Sequence, residues 1–241
     1  METPTHFLPA HVYVCASQDQ GFFLDLKRNQ YLSTTLQELS GLSRRVHGWP
    51  ADLGGDAREE TAGELIETTI TELTRNQLLS RKPSRARKAL ALPCPPAQKA
   101  LLEQGLTRYP AVFRLHLLSF SKAVLIAKYC LSVRSLYSTV RRIERRRTRH
   151  ARATQPRDLQ AMRSLVEIFR RLRPLLPPTH TPCLVNSVAL IEFLAAHGQF
   201  PRLVFGVQAH PFGAHCWVQH DDIVLNSSVG EVLQFTPIMA A

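Results

Sequence analysis

The segment THTPCLVNSVALIEFLAAHG, which follows Pro177 and Pro178, opens the C-terminal third of the chain with a helix that Gly198 terminates. Three runs with strand character follow, Arg202–Gln208, Gly213–His220 and Ile223–Leu225, and Asp221-Asp222 form a tight turn between the last two. A helix followed by consecutive short strands predicts an α+β arrangement. The helix places Cys183 in its first turn.

The other end of the chain predicts a small module of its own. From His11 to Thr35 three runs rich in Val, Tyr, Phe and Leu are separated by Ser17–Gly21 and Lys27–Gln30, which reads as three strands joined by turns. Ser33 or Thr34 is expected to cap a short helix through Gln37 and Glu38. A polar loop, Gly48–Gly55, leads to Thr61–Leu79, where Leu65, Ile66, Ile70, Leu73 and Leu78 fall near helical spacing. Arg81–Pro96 opens with five basic residues in eight and has three of its four prolines in its last four positions, so it is expected to be a linker. Domains at 1–80 and 98–241, with the linker at 81–97, follow. Ala97–Arg149 is expected to be helical, and a second helix to run from about Asp158 to Leu175.

The formal charge of +11 suggests a nucleic-acid partner until it is divided along the chain. Residues 1–80 carry 6 Lys+Arg against 11 Asp+Glu, residues 81–175 carry 23 against 4, and residues 176–241 carry 1 against 4. Only the middle third is basic. Its run RRIERRRTRH, residues 141–150, is expected to be a solvated helix face or a patch for an acidic partner, and no glycine-rich phosphate loop accompanies it. A non-catalytic nucleic-acid-binding regulator gripping phosphates through this segment is the alternative function, opposed by the scarcity of aromatic residues there and by the acidic flanks. The apolar stretches 115–127 and 184–196 are interrupted by His116, Lys122, Asn186 and Glu192, so no membrane span and no secretory signal is expected. Five scattered cysteines without a CxxC pair argue against a disulfide framework and for a cytoplasmic protein.

Cys183 is the residue on which chemistry turns. A thiol is a useful nucleophile as thiolate, and a helix N-terminus together with a nearby imidazole favours that form. Period 2 puts His215, Trp217 and Gln219 on one strand face and Cys216, Val218 and His220 on the other, so Cys216 is expected to stand apart from the chemistry. The bland alternative is that Cys183 is a small buried hydrophobe. A metal site drawn from His180, Cys183, His210, His215, Cys216 and His220 lacks the spacing of common zinc ligands, and neither metal nor cofactor is expected.

The segments CLVNSVALIEFLAAHG, LVFGV and FGAHCWVQHDDIVLN resemble the C-terminal part of the lasso-peptide maturation protease, the B protein, a transglutaminase-like cysteine peptidase. FFLDLKRNQYLS resembles the PqqD-like precursor-recognition domain. Together the two resemblances cover about 150 of the 241 residues. They imply a winged-helix-like β-hairpin and helix module followed by a transglutaminase or papain-like core with a small antiparallel sheet. They also imply that Cys183 is the nucleophile and His215 the general base, that the precursor's leader binds the first domain, and that an ATP-dependent, asparagine-synthetase-like cyclase is the partner. No nucleic acid is expected among the partners. The family has an aspartate 12 residues after the histidine, where this chain has Ser227. Asn226 or Ser227 is therefore the candidate third residue, and a regular strand cannot turn both toward His215. The exposed edge at Gln30, Tyr31, Leu32 and Ser33 is the candidate leader site, by addition of an extended peptide as a further strand.

Overall fold

A computed structural model describes residues 5–47, 49–50, 53, 63–83, 94–101, 111–151, 159–176 and 181–241. Of the expected loop Gly48–Gly55 residues 49, 50 and 53 are among these, and residues 84–93 of the expected linker lie outside them. The chain divides into two units, the first comprising residues 1–93, 207–213 and 236–238, the second residues 94–206, 214–235 and 239–241.

In the first unit, β1 (His6–Phe7), β2 (Val12–Ser17), β3 (Gln20–Asp25) and β4 (Gln30–Thr35) precede α1 (Leu36–Ser43), β5 (Val46–His47) and α2 (Gly63–Arg75). Strands β2, β3 and β4 form an antiparallel meander in that order, so β4 is an edge, and β1 pairs with β5 in parallel. The cap of α1 is Thr35, one residue beyond those the sequence suggests. Its hydroxyl accepts the Glu38 N–H at 3.2 Å while Glu38 Oε2 accepts the Thr35 N–H at 2.9 Å, a reciprocal capping box. Glu38 Oε1 also accepts the Thr69 hydroxyl of α2 at 3.0 Å, which ties the two helices together. Val12, Phe23, Leu39, Leu42, Ile70 and Leu73 lie in one apolar core between sheet and helices.

The second unit holds β6 (Lys99–Ala100), α3 (Arg114–Ser132), α4 (Leu136–Ala151), α5 (Leu159–Leu172), a 3₁₀ turn (Arg173–Leu175) and α6 (Pro182–Ala196). The strands β7 (Arg202–Gln208), β8 (Gly213–His220) and β9 (Ile223–Val224), the one-turn helix α7 (Val229–Val232) and β10 (Thr236–Ala240) complete the chain. The strand order is β10-β7-β8-β9-β6. β9 runs antiparallel to β8 but parallel to β6, so the small antiparallel sheet expected from the resemblance carries a parallel edge pair. The continuous helix expected from Ala97 to Arg149 is also corrected: residues 99–100 are strand, and Val133–Ser135 separates α3 from α4. Ser135 makes that break, its hydroxyl accepting the Ser138 N–H at 3.3 Å.

Helix α6 is apolar on every side because it is surrounded, with Val188, Ala189, Leu190, Phe193 and Leu194 fully buried. It packs against α3 and α5, where Phe169 meets Phe193 at 5.6 Å. Among the described helices α3 alone is long and apolar enough to cross a membrane, by length and composition, a test that the core helix of a water-soluble protein also passes. Its abundant Leu, Val and Ile outweigh the interruptions at His116 and Lys122. Here Phe120, Ala123, Ala127 and Cys130 are buried, as on a core helix, while Leu115, Leu118 and Leu125 are exposed.

The basic run is not all solvated. Glu192, in the middle of α6 with its side chain 2% exposed, is held by two arginines of α4. Arg142 Nη2 donates to Oε1 at 2.7 Å and Arg146 Nη1 to Oε2 at 2.9 Å, with second contacts from each guanidinium. A lone buried carboxylate is costly, and two bidentate guanidinium partners offset that cost. Arg142 and Arg146 stand one turn apart, which turns them to the same side of α4 while Arg145 and Arg149 remain exposed.

Candidate active site

Pro182 opens α6 where no amide hydrogen is needed, and Cys183 is the next residue, half-buried at the helix entrance. The strand β8 brings His215 to this thiol, and the two are hydrogen-bonded. Behind the imidazole, Trp217 stacks at 6.0 Å and 18° and Phe235 lies at 5.2 Å, so the ring is walled by aromatic surface and its side chain is 16% exposed. A Cβ at Gly206 would stand 2.9 Å from both the Trp217 ring and Phe235 Cβ, so glycine permits this close packing. Trp217 Nε1 donates to Gln219 Oε1 at 2.9 Å, and Gln219 Nε2 donates to the carbonyls of Pro95 and Asp221. The polar atoms on that strand face are thereby satisfied.

Cys216 does not stand apart. Its thiol and its backbone N–H both bond to Cys183, because the helix entrance meets β8 where one sulfur can reach the ring of one residue and the thiol of the next. The Cys183 thiol is drawn down to about 4, first by the hydrogen bond from the Cys216 thiol, then by His215 and the Cys216 amide, against the opposing effect of burial. The Cys216 thiol is pushed well above its ordinary value by the same hydrogen bond and by its burial. One sulfur is thus a thiolate and the other its donor. Cys183 should therefore react with iodoacetamide down to about pH 5. Cys216→Ala should move the midpoint of that reaction upward in pH, as followed by peptide mapping. An unchanged midpoint would show that the Cys216 thiol does not support the thiolate.

The structure separates the two candidates for the third position. The amide of Asn226 is engaged elsewhere, with Oδ1 accepting the Val218 N–H at 2.8 Å and Nδ2 donating to Ser187 Oγ at 2.9 Å. Ser187, fully buried on α6, donates in turn to the Cys216 carbonyl at 3.1 Å, so this network fixes the chain after β9 to both helix and strand. Ser227 is buried, and its Oγ lies 3.5 Å from His215 Nε2. Its hydroxyl donates to Glu231 Oε2, and Glu231 Oε1 lies 3.8 Å from the same ring nitrogen. Neither Ser187 nor Glu231 is singled out by sequence spacing. Ser228, whose hydroxyl accepts the Glu231 N–H at 3.1 Å, is the available signal that a helical turn begins there.

Of the candidate leader contacts, Gln30, Leu32 and Ser33 are exposed on β4, and Tyr31 is half-buried, its ring edge-on to Phe212 at 6.0 Å within the first unit. The Leu26 N–H donates to the His11 carbonyl, and alternation from that pair through the register turns the backbone groups of Gln30, Leu32 and Thr34 toward β3 and those of Tyr31 and Ser33 toward the outer edge. Among the described residues no group of histidine, cysteine and acidic side chains is placed to hold a metal ion, and His180 lies outside them.

A thiolate at a helix entrance, hydrogen-bonded to a histidine on an adjacent strand, defines a site of the cysteine-nucleophile class. Residues 127–240, just under half of the chain, match the family model of the transglutaminase-like superfamily, which includes cysteine proteases, and they form a transglutaminase-like domain. No curated protein and no solved structure matches the chain.

Proposed function

We propose that this chain is a cysteine endopeptidase that binds the leader of a ribosomally made lasso-peptide precursor and cuts leader from core. The observation that carries the reading is the Cys183 thiolate, held beside His215 at the entrance of α6. Cys183 Sγ attacks the carbonyl carbon at the junction, and the protonated His215 gives its proton to the departing amine as the C–N bond breaks. The leader remains as a thioester on Cys183. A water molecule, deprotonated by His215, attacks the thioester and releases the leader as a carboxylic acid and Cys183 as thiolate. The freed core, with its new α-amine, passes to the asparagine-synthetase-like cyclase that closes the macrolactam.

The leader binds as a fourth strand along the outer edge of β4, where Tyr31 and Ser33 direct their backbone groups. Mass spectrometry of a leader–core peptide incubated with the protein tests the activity: a single cut at the junction is expected, and an intact peptide at long times overturns it. Ser33→Pro in the full chain removes one outward donor without touching the ladder to β3. It should weaken leader binding by about tenfold or more, read by fluorescence anisotropy. Unchanged affinity in a folded variant rules out strand addition at this edge.

A further inference from the structure

We propose that Glu231 supplies the carboxylate that this site lacks at position 227, acting through the Ser227 hydroxyl as the positioning residue for His215. The proposal rests on the peptidase reading above and goes beyond it in assigning the third member of the site. Twelve residues after His215 the chain offers only a serine, a neutral and weak acceptor for the imidazole N–H. The structure adds a carboxylate to it. The Ser227 hydroxyl donates its hydrogen to Glu231 Oε2, which leaves its oxygen facing His215 Nε2 at 3.5 Å, and Glu231 Oε1 lies 3.8 Å from that nitrogen.

Three consecutive residues hold the arrangement. Asn226 is fixed to β8 and α6, Ser227 is buried between ring and carboxylate, and Ser228 caps α7 by accepting the Glu231 N–H. The cap fixes the turn that brings Glu231, four residues on, back over Ser227. With Nε2 directed at this pair, Nδ1 is the ring nitrogen left for the thiol. A carboxylate at the far side of an imidazole holds its tautomer and stabilises the imidazolium that pairs with a thiolate, which a hydroxyl alone does poorly. Among the described residues, the titratable groups facing the ring are Cys183 from α6 and Glu231 from α7; Trp217 and Phe235 form the rest of its wall.

Two readouts test this on the full-length protein: the pH dependence of Cys183 alkylation by iodoacetamide, and turnover of a leader–core peptide. Glu231→Gln keeps the shape and removes the charge. It should shift the acid limb of alkylation upward by about one pH unit and lower kcat at least about tenfold, with KM little changed. Ser227→Ala should do likewise. Ser227→Asp placed in the Glu231→Gln background puts the carboxylate directly against the ring and should restore both readouts, which a merely structural role for Glu231 would not allow. A Glu231→Gln protein with the wild-type acid limb and kcat overturns the proposal, and so does a folded double variant that recovers neither. Alkylation needs no substrate: a wild-type protein that cuts no peptide would sink the peptidase reading, while the acid limb would still decide the place of Glu231.

Discussion

Cys183→Ala is expected to abolish cleavage of a leader–core peptide, with kcat falling by roughly 10⁴-fold or more to the level left by binding and electrostatics alone. Alanine removes the one sulfur that the site draws down to about 4, and no other thiol can replace it, since Cys216 is pushed the other way and is 3% exposed. Leader affinity should be unchanged, because β4 belongs to the first unit and Cys183 to the second. Single-turnover assays with excess enzyme measure both quantities, and quenching wild type in acid should trap the leader thioester at Cys183. Cleavage by the alanine variant at the wild-type rate would mean that Cys183 is not the nucleophile.

The second large effect concerns stability. Arg142→Ala combined with Arg146→Ala strands the Glu192 carboxylate in the middle of α6, and removing the partners of a buried charge costs about 3–5 kcal/mol. Either single variant should cost less, since the remaining guanidinium reaches both carboxylate oxygens. Replacing all three residues by apolar ones of similar volume should recover most of the loss, because the desolvation of three charged groups disappears with the pair. Urea unfolding gives all of these numbers. A double alanine variant within about 1 kcal/mol of wild type would show that Glu192 finds compensation elsewhere.

Much of the site was legible in the sequence because its signals are local. Gly198 ends α6, Asp221-Asp222 turn β8 into β9, and alternation along β8 places His215 and Trp217 on one face, as they are found. The three strands of the first unit are punctuated by their turns in the same way. The two-residue strands β1, β5 and β6 were not legible, since so short a segment has no periodicity and exists only through its partner. The break between α3 and α4 carried one signal, the capping Ser135, within a run whose apolar spacing otherwise continues. Glu231 was illegible for a different reason: it reaches His215 from a single turn of helix, and no spacing rule links a strand residue to a carboxylate 16 positions away. Cys216 was misread because alternation describes side-chain direction and says nothing of a helix end that meets two strand residues at once.

The grip of α4 on Glu192 sorts a run of like charges into two kinds, which matters to anyone recoding the gene to reduce adhesion to polyanionic surfaces. Arg145 and Arg149 face water and can be exchanged for glutamine with little consequence for folding, whereas the residues beside them, Arg142 and Arg146, belong to the interior in all but name. A uniform neutralisation of the run would destabilise the protein in a way that looks like a surface-charge effect and is in fact the loss of both partners of one buried glutamate.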